Sequence, residues 1–197
     1  MADRRKYIVH PQYIVLTLVL AGITSLFLGL SGSYIYNRVQ TGAPPIQLPP
    51  LFYFNTLILI ASSATLILCK RKYEQDQTEA YKIYLLITLV LTIAFLVCQI
   101  LAWQQLQSSD IFINYSNMAS YIYLISGVHF LHVVAGIPFL ILFLYKAVKN
   151  MKTPVSVLVY FSDPDKKRGL TLLTWYWHFL DGLWIYLIVF FLINYFI

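Results

Sequence analysis

Five apolar runs, each long enough to cross a lipid bilayer, decide what this chain can fold into. They lie at about 13–36, 51–69, 83–106, 119–145 and 169–195. A hydrocarbon core about 30 Å thick takes roughly 20 helical residues. Inside it, backbone amides must bond within a helix or around a closed barrel. No period-two alternation competes with the runs, so the sequence predicts an all-α, polytopic membrane protein. It is read as one domain, 1–197, a bundle of five transmembrane helices. Only 11% of the residues are charged, where soluble domains carry about a quarter. The first run lacks a small-residue cleavage site and is read as retained.

The net charge of +6 would suit a nucleic-acid binder, but its placement excludes that class. Thirteen of the fourteen basic residues flank alternate ends of the runs: Arg4, Arg5 and Lys6, then Lys70 to Lys82, then Lys146 to Arg168. Only Arg38 lies on the other side. The positive-inside rule therefore predicts a cytoplasmic N-terminus and an outside C-terminus. Tyr34, Tyr36, Trp103, Tyr115, Tyr121 and Tyr123 are expected as anchors at the outer interface, and Tyr13, Tyr84, Tyr145, Trp175 and Trp177 at the inner one. Cys69 and Cys98 differ in depth by roughly 20 Å, too far for a disulfide, and no haem-attachment or two-cysteine copper motif is present.

The connection 37–50 carries four prolines and reads as an extended outer loop, whereas 70–82 reads as a charged inner loop. The longest connection, 146–168, has an apolar middle too short to span, expected on the inner membrane surface between basic flanks. The first run carries small residues at Gly22, Ser25, Gly29, Gly32 and Ser33, of which Ser25, Gly29 and Ser33 repeat at i, i+4, i+8 as one stripe. Such a stripe lets helix backbones approach closely in lipid, within the chain in the first instance or against a partner subunit. Pro138 interrupts the backbone ladder of the fourth run.

Few polar groups lie within the runs. The fourth carries His129 and His132, the fifth His178 and Asp181, each pair spaced i, i+3 and so on one helix face. Counted from the basic end, His178 is roughly 13 Å deep, Asp181 roughly 18 Å, His132 roughly 20 Å and His129 roughly 24 Å. These offsets disfavour a haem between two histidines, and a two-metal carboxylate site needs more acids than Asp181. A proton pathway is open to Asp181 as a midplane carboxyl, though no second acid follows it. The third reading is a structural cluster of His129, His132, His178 and Asp181. It rests on an Asp–His contact between the last two runs, completed by Tyr or Ser hydroxyls.

The segments "YLISGVHFLHVVAGIPFL" and "TWYWHFLDGLWIYLIVFFL" resemble the last two helices of subunit III of haem–copper terminal oxidases. The family's HxxH pair falls on His129 and His132, and its YWHF-x-D-x-x-W segment on Tyr176, Trp177, His178, Phe179, Asp181 and Trp184. "PPLFYFNTLILIASSATLIL" is similar to the family's helix after the proline-rich outer turn. The chain matches the five-helix form. It lacks the glutamate that longer members carry in the helix equivalent to the first run, and Ala102 stands before Trp103 where many have a glutamate.

The resemblance implies a non-catalytic core subunit of a cytochrome c or quinol oxidase in a bacterial inner membrane. Such a subunit binds no haem or copper, which sit in partner subunits. It stabilises the haem-bearing subunit I and supports proton uptake while oxygen is reduced to water. Membrane phospholipid, the other oxidase subunits and a respiratory supercomplex are the implied partners. Two alternatives stay open: a subunit-III-like accessory protein of nitric-oxide reductase, and a small transporter or independent haem protein.

Overall fold

The structure, a computed structural model, describes residues 10–151 and 153–196, leaving aside the side chains of 154 and 155. The described chain is all helix and turn: α1 (Pro11–Thr41), α2 (Pro50–Glu74), α3 (Thr78–Ser108), α4 (Asn117–Asn150), α5 (Pro154–Ser162) and α6 (Pro164–Phe196). All but α5 are long and apolar enough to cross a membrane.

The helices outrun the apolar segments that predict them. α1 continues past Tyr36 because no breaker intervenes before Gly42, whose φ of 59° ends the helix while its N–H bonds Arg38 O. The proline-rich connection is therefore confined to 42–49, and Pro50 opens α2. The charged stretch 70–82 is mostly helical as well. Lys, Arg and Glu are good helix formers outside the lipid, and only 75–77 turn the chain, with Asp76 at φ 56°. α4 runs unbroken through Pro138.

α2 and α3 form the most regular pair. Their buried residues step by three and four: Phe52, Asn55, Leu59, Ser62, Leu66, Cys69 and Tyr73 face Tyr81, Leu85, Thr88, Thr92, Phe95, Gln99 and Ala102. This is the heptad seam of an antiparallel coiled coil. Asn55 Nδ2 donates to Gln99 Oε1 at 2.8 Å, and Thr65 and Thr88 hydroxyls meet at 2.9 Å. α6 fills the space between α1, α2 and α4. Around it Phe27, Phe52, Phe95, Ile125, Leu180, Trp184 and Leu187 make one core, and Leu66, Tyr81, Leu140, Tyr160, Leu170 and Trp177 make a second toward the α5 end.

Not every expected anchor faces lipid. Tyr36, Tyr115, Tyr145 and Trp175 are exposed. Tyr34 and Trp177 are buried, because they fall on the faces of α1 and α6 that meet the other helices. Tyr34 packs edge-on against Tyr121, Phe190 and Phe191.

Candidate functional site

The polar groups within the spans tie α6 to each of its neighbours. Toward α4, His129 is fully buried, with Nε2 3.1 Å from Leu180 O. Its ring lies against Trp184 and Phe95. Tyr176 donates its hydroxyl to His132 O at 2.8 Å, and the His132 ring, Nδ1 2.7 Å from Val128 O, bonds within its own helix. Toward α2, His178 Nδ1 lies 2.6 Å from the Ser63 hydroxyl, and the Trp184 indole donates to Thr56 at 3.2 Å. Toward α1, Tyr186 donates to Ser31 at 3.0 Å, and near the end of the span Arg38 donates to Asn194 at 3.2 Å.

Asp181 is buried beside the Ser63 hydroxyl, and its Oδ2 has no partner among the described residues. The expected Asp–His contact between the last two spans is replaced by this one. The physical reason is the helical phase of α6. Tyr176, Trp177 and Leu180 occupy the face that meets α4, so His178 is turned toward α2 instead. His129 and His132, for their part, bond main-chain oxygens. The four residues thus share one region without touching through their polar atoms. Sequence reasoning missed Ser63, Thr56 and Tyr186, whose hydroxyls complete the links.

The small residues of α1 also sit elsewhere than first expected. Ile23, Phe27, Ser31 and Tyr34 form the buried face of the helix. Gly22, Ser25, Gly29, Gly32 and Ser33 are exposed on the opposite side, and a Cβ built on any of the three glycines meets nothing within 4 Å. The stripe therefore does no packing among the described residues. The close approach inside the bundle is at Gly136 of α4, where an added Cβ would stand 2.6 Å from Trp177 Cζ3 and 3.0 Å from Tyr176 Cε1.

Two grooves open between α1 and α6. One of about 280 Å³ has His178, Gly182 and Tyr186 on one wall and Thr24 and Leu28 on the other. The second, about 600 Å³ and apolar, runs from Pro11 and Gln12 to Val19, between Phe139 and Phe143 of α4 and Gly169 and Tyr176 of α6. Among the described residues no three His, Cys, Asp or Glu side chains converge in a metal-holding arrangement.

Fold and site together define a polytopic helical membrane protein whose buried polar side chains link helix to helix. A family model described as cytochrome c oxidase subunit III matches residues 37–196, which is most of the chain. The chain belongs to that family. It is 29% identical over 172 residues to cytochrome c oxidase subunit 3 of Allomyces macrogynus, covering 84% of this chain and 58% of that one. To the probable cytochrome c oxidase subunit 3 of Rickettsia prowazekii it is 29% identical over 146 residues, covering 74% and 48%. To cytochrome c oxidase subunit 3 of Alkalihalophilus pseudofirmus it is 28% identical over 173 residues, covering 85% and 79%. The chain spans about half the length of the first two of these relatives.

Proposed function

We propose that this chain is a non-catalytic subunit III of a bacterial respiratory haem–copper oxidase. It is seated against the haem-bearing subunit I, which it stabilises and keeps supplied with protons during oxygen reduction. The family match supports the oxidase assignment. The observation that carries the docking role is the outward stripe of α1. Gly22, Ser25, Gly29 and Ser33 let a second backbone come close, and nothing among the described residues packs on them. Gly182 and the half-buried His178 line a groove with Thr24 and Leu28 of α1. Leaving a polar ring at this depth against lipid is unfavourable, which favours coverage by protein.

His129 and the His132 carbonyl serve here to hold α6 to α4, and His178 and Asp181 to hold it to α2 through Ser63. The apolar groove between α1, α4 and α6 takes a phospholipid chain. The basic end of the bundle is cytoplasmic and the C-terminus faces outside, in accord with the charge asymmetry. Haem and copper belong to the partner subunits.

The test is co-purification. The full chain, tagged and drawn from native membranes, brings a haem-bearing large subunit with it. Gly22→Leu with Gly29→Leu sharply reduces that yield while the chain itself still accumulates. An unchanged yield overturns the docking role of α1. A nitric-oxide-reducing partner in place of an oxidase overturns the assignment to respiration of oxygen.

A further inference from the structure

α5 is too short to span a membrane, yet it is a firmly built helix. Thr153 Oγ1 accepts from Ser156 N, Ser156 Oγ accepts from Thr153 N at 3.0 Å, and Pro154 stands at the first turn. One face docks on the end of the α2–α3 hairpin. Phe161 packs edge-on to Tyr73 with centroids 4.9 Å apart, and Tyr73 donates its hydroxyl to Tyr160 O at 3.2 Å. Tyr160 is buried in consequence.

The other face is apolar and open: Leu158 is 67% exposed and Val159 65%. α5 cannot carry this face far from the membrane boundary. Residues 151–153 join it to α4, and Asp163 alone joins it to α6. Charge distinguishes what lies opposite. Lys166, Lys167 and Arg168 pair with Asp163, Glu74 and Asp165. Lys146 and Lys149, on the last turns of α4, are exposed and pair with no carboxylate among the described residues; Lys149 lies over the Tyr145 ring instead.

We infer that α5 is a lipid seat. Leu158 and Val159 enter the acyl boundary of the leaflet at the basic end of the bundle, while Lys146 and Lys149 meet its anionic phosphates. An apolar outer face on α5, at the same end of the bundle as the free ammonium groups on the last turns of α4, suits an anionic leaflet. Docking through Tyr73 and Tyr160 relays that attachment to the α2–α3 hairpin. The inference is independent of which enzyme complex the chain serves.

The test uses the full chain, in its complex as purified, with Cys98→Ser and either Leu158→Cys or Val159→Cys labelled by an environment-sensitive fluorophore. The samples are reconstituted in phosphatidylcholine vesicles with and without phosphatidylglycerol. Lipids brominated near the headgroup end of the acyl chains should remove most of the label's emission, and aqueous iodide should remove little. The lipid quenching should strengthen with phosphatidylglycerol, and Lys146→Glu with Lys149→Glu should abolish that increment. Ready quenching by iodide would place the face in water and overturn the inference. Protection from both quenchers would mean that a protein covers α5, which overturns it equally. An increment that survives the double charge reversal would remove the lysines from the account.

Discussion

Replacing Gly136 by Ala is the most direct probe of how α4 and α6 are held together. A new Cβ would stand 2.6 Å from one indole carbon of Trp177 and 3.2 Å from another, with Tyr176 at 3.0 Å. Carbon atoms rest at about 3.5–4.0 Å, so the indole must retreat by about 1 Å. It has little room, because Trp177 is 2% exposed and wedged in the core shared with Tyr81, Leu140 and Tyr160. Overpacking of this kind costs about 1–3 kcal/mol. The gain in helix propensity from Gly to Ala offsets roughly 0.5–1 kcal/mol of it. The expected net loss is on the order of 1–2 kcal/mol by these two terms. Tyr176, shifted by the same contact, should also weaken its bond to His132 O. Gly29→Ala is the internal control. Nothing lies within 4 Å of its Cβ, so it should keep the propensity gain and leave chain stability equal or higher. Denaturant unfolding of the full chain in mixed micelles, followed by tryptophan fluorescence, measures both. A Gly136→Ala protein as stable as the parent would refute the packing argument, and so would a Gly29→Ala protein that lost as much as Gly136→Ala.

Further outcomes follow from the polar links. Asn55→Leu strands the buried Gln99 amide and should cost about 1–3 kcal/mol, whereas Asn55→Leu with Gln99→Leu should recover most of that; a double-mutant unfolding cycle reads the difference. Ser63→Ala removes the 2.6 Å link to His178 and should cost about 0.6 kcal/mol, rising no higher than about 1.7. Asp181→Leu should shorten the working life of the complex or loosen its hold on the large subunit, with the haem spectrum of the purified oxidase unchanged. Burial pushes the Tyr160 hydroxyl above its ordinary value, with Tyr81 opposing the rise and Cys69 and Asp163 adding to it. The folded form therefore holds a proton that the undocked form has lost, and docking of α5 weakens as pH rises beyond about 10. A label at Leu158 should report α5 released at high pH and seated at neutral pH, and Tyr160→Phe should remove the transition.

Most of the fold was legible because lipid tolerates so few solutions. Five runs gave five spans, each lengthened at its ends where charged residues keep a helix going without being apolar. The site was legible in part. HxxH and WHFxD marked residues that do lie at helix contacts, but residue spacing fixes only a shared face, not the neighbour that face meets. His178 could be paired with α4 or α2 on the same pattern, and only the packing of Trp177 under Gly136 decides for α2. The glycines show the same limit. Gly22 and Gly29 carry a regular small-residue spacing and face outward, while Gly136, alone beside Pro138, makes the tight contact. The spacing of Ser31, Thr56 and Ser63 gave no cue, since a lone hydroxyl in a helix bonds its own turn as readily as a neighbour.

A membrane extract carrying the tagged chain, separated into the assembled complex and the chain alone, tests the central claim most directly by visible spectroscopy and metal analysis of both fractions. The account predicts haem and copper in the complex and neither in the isolated chain. Iron or copper that stays with the isolated chain, and is lost on replacing His129 or His178, would contradict it.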